Sequence, residues 1–507
     1  MKILLANPLT TVSSSHSYEK YFIRAGSRWP HSGVKRKGTL PHYLPFPFYL
    51  AYAAALLRNE GAQVIVADCV ALDMHEPQFL ELVAKEKPDL LFFETTTPTI
   101  VYDCALTQKI KQHSRSTLVV LGGAHATVFA KELLATEPSI DYIVRHEYEL
   151  SLLNLRRCLE AKADPVKVKG ISYRSAGIVT QTENAPLVSL GLLPPPARDL
   201  FPAPWAANPA VYWDGFCQKH PAIQMHASRG CPYRCNFCLW NQVMFHNGQY
   251  RVFVPSRIVD EMQDAVTRYG AKEIYFDDDD FTINQKHVAE FCQELLARKL
   301  NVSWSCMGDA INLTEDTVKL MAQSGCIGIK FGVESGSPRM LASLGKPVNL
   351  EKVKQVIEWC ARYRIKTHAT FSLGLYGDDM ESIKETLTFM HSMDSDTIQV
   401  SICTPFPGTK FFELAKQDGC LKTQVWEKYD GKASDVVSYP GIDWQAVEKL
   451  RHHALRRWFM AKLLSWRWVS KQAYYFFRIL AGLGIPFFVK QIVSIYRDEV
   501  LTAQWKR

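Results

Sequence analysis

Short apolar runs separated by helical stretches occur in two blocks along this chain, and that alternation constrains its fold more than any other feature. In the first 150 residues the runs are MKILLANP, AQVIVADC, DLLFFETT, TLVVLGGAHA and IDYIVRHE, with Leu50–Asn59 helical after the first. Runs of this kind indicate buried parallel strands in a doubly wound sheet, whose ligands bind at the carboxyl edge. From Ala222 to about Pro407 the alternation resumes with AIQMHAS, EIYFDDD, VSWSCM, GIKFGVES, THATFSLG and TIQVSICTP, which predicts an open or closed parallel α/β barrel. Between the blocks, residues 166–210 read as a hairpin (VKGISYRSAGIVTQT) and a stiff linker. The cluster Pro194–Pro196 continues neither a helix nor a central strand.

A chain of 507 residues that is 47% apolar has core enough for two to four domains, which excludes disordered, collagenous and disulfide-stapled classes. MKILLANP lacks the pattern of a secretory signal, so the expected location is the cytoplasm, where the 13 cysteines point to metal or redox chemistry rather than disulfides. From Val447 to Arg507 there are twelve Lys or Arg and three acids, a local +9, so the preceding 446 residues carry −1 of the chain's +8. A near-neutral body argues against nucleic acid as a partner. The basic, aromatic tail (RRWFMAKLLSWRW onward) either caps the barrel or makes peripheral contact with a membrane surface. Its longest charge-free apolar run, Ile479–Val489, has eleven residues, too few to span a bilayer.

Ten cysteines are scattered singly, and three are not. Arg229-Gly230-Cys231-Pro-Tyr-Arg-Cys235-Asn-Phe-Cys238 is a CxxxCxxC directly after an expected strand. Three thiolates so spaced can wrap a loop around three irons of a cubane cluster and leave the fourth without a protein ligand. A structural zinc site would want a fourth ligand and a second CxxC pair, and the chain has none. From Ala222 to about Pro407 the chain resembles the radical S-adenosylmethionine (SAM) superfamily. The resemblance implies a [4Fe-4S] cluster on Cys231, Cys235 and Cys238, with SAM chelated at the open iron. An external one-electron reductant of the flavodoxin or ferredoxin type would drive cleavage of SAM to methionine and a 5′-deoxyadenosyl radical. It also implies Phe237 beside the adenine. Asp278 and Asp279, in Phe276-Asp277-Asp278-Asp279-Asp280-Phe281-Thr282, would accept from the SAM ammonium, with a solvated acidic loop as the alternative. Glu334 and Ser335, in Gly332-Val333-Glu334-Ser335-Gly336, would reach the ribose or the methionine part. His226, Trp304 and Cys306 read as barrel-interior packing.

In the first block, Gly122-Gly123 within Leu121-Gly122-Gly123-Ala124-His125-Ala126-Thr127 would let a flat, bulky ligand approach the backbone, and GxGxxG spacing is absent. With Asn7-Pro8, Thr95-Thr96-Thr97-Pro98 and Arg145-His146-Glu147, this edge resembles the cobalamin-binding domain of class B radical SAM enzymes. The implied cobalamin contacts are Thr96, Thr97, Gly122, Gly123, His125, Arg145 and Glu147. The cobalt-ligating DxHxxG is missing, since Asp73-Met74-His75 is followed by Glu-Pro-Gln. His125 is a candidate replacement ligand, or packs on the corrin edge or caps a helix.

The expected fold is α/β: a Rossmann-like cobalamin-binding domain (1–165), the hairpin and Pro-rich linker (166–210), a partial (β/α)6 TIM-like radical SAM barrel (211–410) and a helical, basic, aromatic region (411–507). The expected function is cobalamin-dependent methylation of an unactivated carbon in a small-molecule or lipid-like substrate. The main alternative is radical cyclisation or rearrangement without methyl transfer, to whose members the GGxHAT, RHE, FDDDDFT and GVESGSPRML stretches are similar. A membrane-attached binding protein ranks lower. Methylthiolation fits badly, because Cys69, Cys104 and Cys158 lack cluster spacing.

Overall fold

The computed structural model describes residues 1–471 and 473, other than 42, 432–435 and 467. Strands β1 (Lys2–Asn7), β2 (Gln63–Asp68), β3 (Leu90–Glu94), β4 (Leu118–Gly122) and β5 (Tyr142–Val144) form the parallel part of the first sheet, in the order β5-β4-β3-β1-β2. Every residue of β3 (LLFFE) is buried, as a strand covered by helices on both faces requires. The chain runs to opposite sides of β1 to make β2 and β3, so the switch point lies where the loops after β1 and β3 diverge.

Two features differ from the sequence reading. The hairpin, β6 (Ile171–Ser175) and β7 (Ile178–Gln181), is not part of a free linker: it joins the sheet antiparallel beside β5 and carries the first domain past residue 165. The second is an insertion between β1 and the helix Phe48–Asn59. There, Thr11–Ser13, Tyr18–Ile23 and His31–Arg36 form a three-stranded antiparallel sheet. Its strands, such as YEKYFI and HSGVKR, are too polar to stand out as apolar runs. The turn at its tip reaches the second domain, where Arg28 pairs with Asp277 at 2.9 Å and Ser27 O accepts from Trp240 Nε1 at 3.3 Å.

The second domain is a six-stranded parallel sheet in sequence order. Its strands are β8 (Ala222–Met225), β9 (Glu273–Phe276), β10 (Ser303–Gly308), β11 (Cys326–Glu334), β12 (Lys366–Leu373) and β13 (Thr397–Ile402). β8 and β13 are not paired with each other, so the barrel is partial, as expected. Its helices follow their capping signals: Asn349 accepts from Lys352 N to start Leu350–Arg362, which buries Val353, Val356, Ile357 and Cys360 on one face. Between β9, β10 and the helix Gln285–Ala297, the rings of Phe276, Phe281, Phe291 and Trp304 meet largely edge-on, with centroids 4.9–5.9 Å apart.

The last described helix, Trp444–Leu463, buries Trp444, Val447 and Trp458 and exposes Phe459, Met460 and Leu463. This helix therefore caps the barrel with one face while its last turns expose apolar side chains; the run 479–489 lies outside the described residues. No helix among the described residues is long and apolar enough to cross a membrane.

Trp304 is fully buried and its Nε1 donates to Ser324 O at 3.1 Å. Trp304→Ala is expected to cost about 3–5 kcal/mol, read as a lower denaturant midpoint of the unloaded chain. An unchanged midpoint would contradict this account of the barrel core.

Candidate active site

The three-cysteine loop is held from below by carboxylates and from within by one amide. It leaves the short strand Ser228–Gly230, which pairs antiparallel with Tyr250–Val252. Gly230 sits at φ +80°, and a Cβ there would lie 2.0 Å from Gln249 O, so only glycine fits. Asp278 accepts from Ala227 N (2.8 Å) and Ser228 Oγ (2.6 Å), and Asp279 accepts from Gly230 N (2.8 Å). Inside the loop, Gln242 Nε2 donates to the carbonyls of Cys235, Asn236 and Cys238 at 3.0–3.1 Å. Cys235 is buried, and Cys231 and Cys238 are partly exposed.

Burial pushes the thiol of Cys235 up to about 11 and that of Cys238 up to about 12, and Cys231 rises too. Thiols held neutral in this way become ligands only when a cationic metal centre displaces their protons. Among the described residues, the ligand atoms of three His, Cys, Asp or Glu lie within 4.8 Å of one another only at Glu19, Asp73 and His75, where the Lys35 ammonium already sits. The loop's thiols are spread wider than that, a spacing that suits a multi-iron cage better than a single ion.

Two of the residues expected around SAM already hold protein partners. Asp278, fully buried, gives both oxygens to the chain leading into the cysteine loop, and burial pushes its carboxyl up to about 7. Ser335 is also buried. Its hydroxyl pairs with Thr386 Oγ1 (2.9 Å) and accepts from Ser337 N (3.1 Å), closing the turn after β11. Asp279, only partly buried, remains at the rim. Glu334 stands at φ +69° beside a register shift at the end of β11, a strained position for a residue with a Cβ. Its carboxylate faces Lys346 Nζ at 3.5 Å and accepts from Ser372 Oγ at 3.3 Å, and Lys346 also donates to Gly332 O at 2.6 Å. Lys346 lies twelve residues beyond Glu334 in an unremarkable stretch, and the sequence reading missed it. Phe237 stacks on Trp29 of the insertion, with centroids 5.8 Å apart and planes at 21°.

At the carboxyl edge of the first sheet, Gly123 has φ +92° and a Cβ there would lie 2.5 Å from Thr95 O. A Cβ on Gly122 would meet the Phe92 ring at 2.7 Å. Both glycines are thus required by the contact between β3 and β4 themselves. Thr97 Oγ1 lies 3.2 Å from His125 Nδ1, and Thr96 Oγ1 lies 3.1 Å from Thr99 Oγ1. His125 is buried between Phe129 (4.7 Å) and Trp426 (5.5 Å), and burial holds its imidazole neutral, with the pKa lowered to about 3. Trp426 arrives from beyond the barrel and had no signal in the sequence.

Arg145 and Glu147 are also committed elsewhere. Arg145 donates to Asn184 Oδ1 at 2.6 Å and to Thr182 O, which fastens the chain after the hairpin. Glu147 takes Arg251 Nη1 and Nη2 at 2.8 and 2.7 Å, Arg229 Nη1 at 3.2 Å and Val188 N at 2.8 Å. Arg229, fully buried, reaches Glu149 at 2.7 Å and lies over the rings of Tyr49 (4.5 Å) and Tyr52 (4.9 Å). The residue two before Cys231 is thereby bolted into the first domain. His146, at φ +62°, adds a second bridge, its Nδ1 lying 2.6 Å from Val243 O just after the cysteine loop.

Arg229→Met is expected to destabilise the chain by about 3–5 kcal/mol, because Glu147 and Glu149 lose a buried counter-charge. Adding Glu149→Gln should recover part of that loss in a double-mutant cycle, and strict additivity would refute the coupling. Asp278 holds its proton in the folded state up to about pH 7, whereas an unfolded aspartate ionises near about 3.9. At this group the folded state therefore binds more protons, and Asp278's contribution to stability falls as pH rises through that window. Between pH 5 and 7.5, stability minus that of Asp278→Asn should therefore decline with rising pH by chemical denaturation.

Two family models match the chain: the B12 binding domain over residues 41–156 and the radical SAM superfamily over residues 225–390. An uncharacterized methyltransferase of Pyrococcus horikoshii is 30% identical over 76% of this chain and 81% of its own length. The anaerobic magnesium-protoporphyrin IX monomethyl ester cyclase of Rubrivivax gelatinosus is 29% identical over 72% of this chain and 66% of its own. The structure of the radical SAM methyltransferase TsrM of Kitasatospora setae, with cobalamin and a [4Fe-4S] cluster bound, shares the fold. It matches at TM-score 0.65 and 16% identity, over 91% of this chain and 89% of that one. With both domains in the expected order and the cysteine loop facing the first sheet, the chain belongs to the cobalamin-binding (class B) radical SAM family of enzymes, which use a [4Fe-4S] cluster, SAM and cobalamin.

Proposed function

We propose that this enzyme transfers a methyl group to an unactivated carbon of a small molecule. The observation that carries the reading is the joint at Arg229, which brings the cysteine loop against the carboxyl edge of the first sheet, so that groups bound at each can share one substrate. Cys231, Cys235 and Cys238 would hold the cluster. Asp279 and Glu334 would meet the polar part of SAM, with Lys346 holding the Glu334 carboxylate in place. Thr96, Thr97, Gly122 and Gly123 would border the corrin. His125, enclosed by Phe129 and Trp426, would pack at its edge rather than ligate cobalt.

When bound, the cluster and SAM supply a hydrogen-abstracting radical, and the corrinoid supplies the methyl group. The chain's own residues do the rest. Gln242 keeps the loop's shape, Asp278 anchors its entry, and Trp29 stacks on Phe237 at its flank. The reductant would be an external protein of the flavodoxin or ferredoxin type. The exposed Phe459, Met460 and Leu463, beside Arg456 and Arg457, support peripheral contact with an anionic membrane from a cytoplasmic enzyme. The similarity to a cyclase supports the second reading, rearrangement without methyl transfer.

Anaerobically reconstituted enzyme, with reductant and a turned-over substrate, separates the two. Methyl transfer yields one S-adenosylhomocysteine and one 5′-deoxyadenosine per product, and the product gains one methylene in mass. Absence of both S-adenosylhomocysteine and the mass gain would sink it. Cys235→Ala should lose SAM cleavage while keeping the corrinoid absorption bands.

A further inference from the structure

The inner wall of the barrel is polar where a closed TIM barrel is filled with branched apolar side chains. Strand register sets Met307, Lys330, His368 and Thr397 side by side in one row across β10, β11, β12 and β13. The next row toward the carboxyl edge is Gly332, Thr370 and Gln399. The alternate residues Phe331, Ala369, Phe371 and Val400 point the other way and are buried. On the inner face, Lys330, His368 and Thr370 are only partly buried and Gln399 is exposed, so solvent enters the lumen through the unclosed side of the barrel.

Below this wall the lumen is stoppered. Phe216 packs so closely on Gly328 that a Cβ there would touch its ring at 2.8 Å, and the ammonium groups of Lys330 and Lys366 lie over that ring at 5.2 and 4.8 Å. Lys330 Nζ donates to Asp214 Oδ2 at 2.6 Å, which engages one of its three donors. His368 is held by Thr397 Oγ1 at 2.8 Å and is kept neutral by burial, its pKa lowered to about 3. Thr370 Oγ1 donates to Phe331 O at 3.2 Å and Gln399 Nε2 gives one N–H to Ser401 Oγ at 2.9 Å, so a hydrocarbon entering here would strip water from the remaining N–H groups of the Lys330 ammonium and the Gln399 amide without replacing their hydrogen bonds. An oxygen-rich anion replaces them.

We infer that the substrate carries an anionic oxygen group, a carboxylate or a phosphonate, that descends into the lumen against Lys330 and Gln399 and leaves its reacting carbon toward the cofactors. This rests on the methyl-transfer reading for the site's location.

The test is calorimetric binding to the reconstituted holoenzyme of two probes with one carbon skeleton, 4-methylpentanoate and 4-methylpentanol, alongside 2-hydroxyethylphosphonate. At least one anion should bind ten-fold or more tightly than the alcohol, and which of the two does so distinguishes carboxylate from phosphonate. Lys330→Met should weaken that anion at least ten-fold, with cluster and corrinoid absorption retained, and Lys330→Arg should weaken it less. Should Lys330→Met leave Asp214 too costly to bury, the Lys330→Met/Asp214→Asn pair and Gln399→Leu serve in its place. Equal binding of alcohol and anions, or anion affinity unmoved by these variants, overturns the proposal. Because the readout is binding, its failure leaves the methyl-transfer reading standing, and a failure of methyl transfer leaves the binding result interpretable.

Discussion

A buried guanidinium ties the cysteine loop to the first domain. Arg229 lies between Glu147 and Glu149 and over Tyr49 and Tyr52, two residues before the first cysteine of the loop. A buried ion pair of this kind adds little net stability over an apolar substitute, but breaking it strands a charge without solvent. Its consequence is therefore geometric. The cysteine loop cannot drift from the carboxyl edge of the first sheet without exposing or orphaning that charge, and the second carboxylate contact, from Arg251 to Glu147, closes the same joint.

The polar residues around the loop divide into builders and presenters. Asp278, Ser335, Arg145 and Glu147 spend their hydrogen bonds on backbone or on the side chains of Ser228, Thr386, Asn184, Arg229 and Arg251, whereas Asp279, Glu334 and Lys346 lie at the rim. Such a division follows from desolvation: a buried polar group must be satisfied by the fold, so only groups at the rim stay available to ligands. The insertion contributes to both classes of work, since Arg28 meets Asp277 while Trp29 covers Phe237.

Much of the fold was legible because it depends on local pattern. Every expected strand of the two sheets forms, since apolar runs such as LLFFE can be satisfied only between layers, and the CxxxCxxC spacing marks its loop without reference to the rest of the chain. The insertion was missed because its strands are polar and short. Trp426 and Lys346 were missed because nothing in their neighbourhoods departs from ordinary sequence. Arg145, Glu147, Asp278 and Ser335 were singled out by their motifs, but their bonds to Asn184, Arg251, Ser228 and Thr386 emerged only with the structure, because a motif gives a residue's position and not its hydrogen-bond partners.

By itself, then, the sequence determined the two parallel α/β sheets, the order of the domains and the three-thiol loop, all of which follow from periodicity and spacing within short windows. The tertiary structure alone decided which carboxylates build and which remain available, how the domains are bolted together, and that the barrel lumen is polar. Those outcomes depend on contacts between residues as far apart as 82 positions for Arg229 and Glu147 and 249 for Arg28 and Asp277. Charge burial and strand register, which no local window contains, are what settle them.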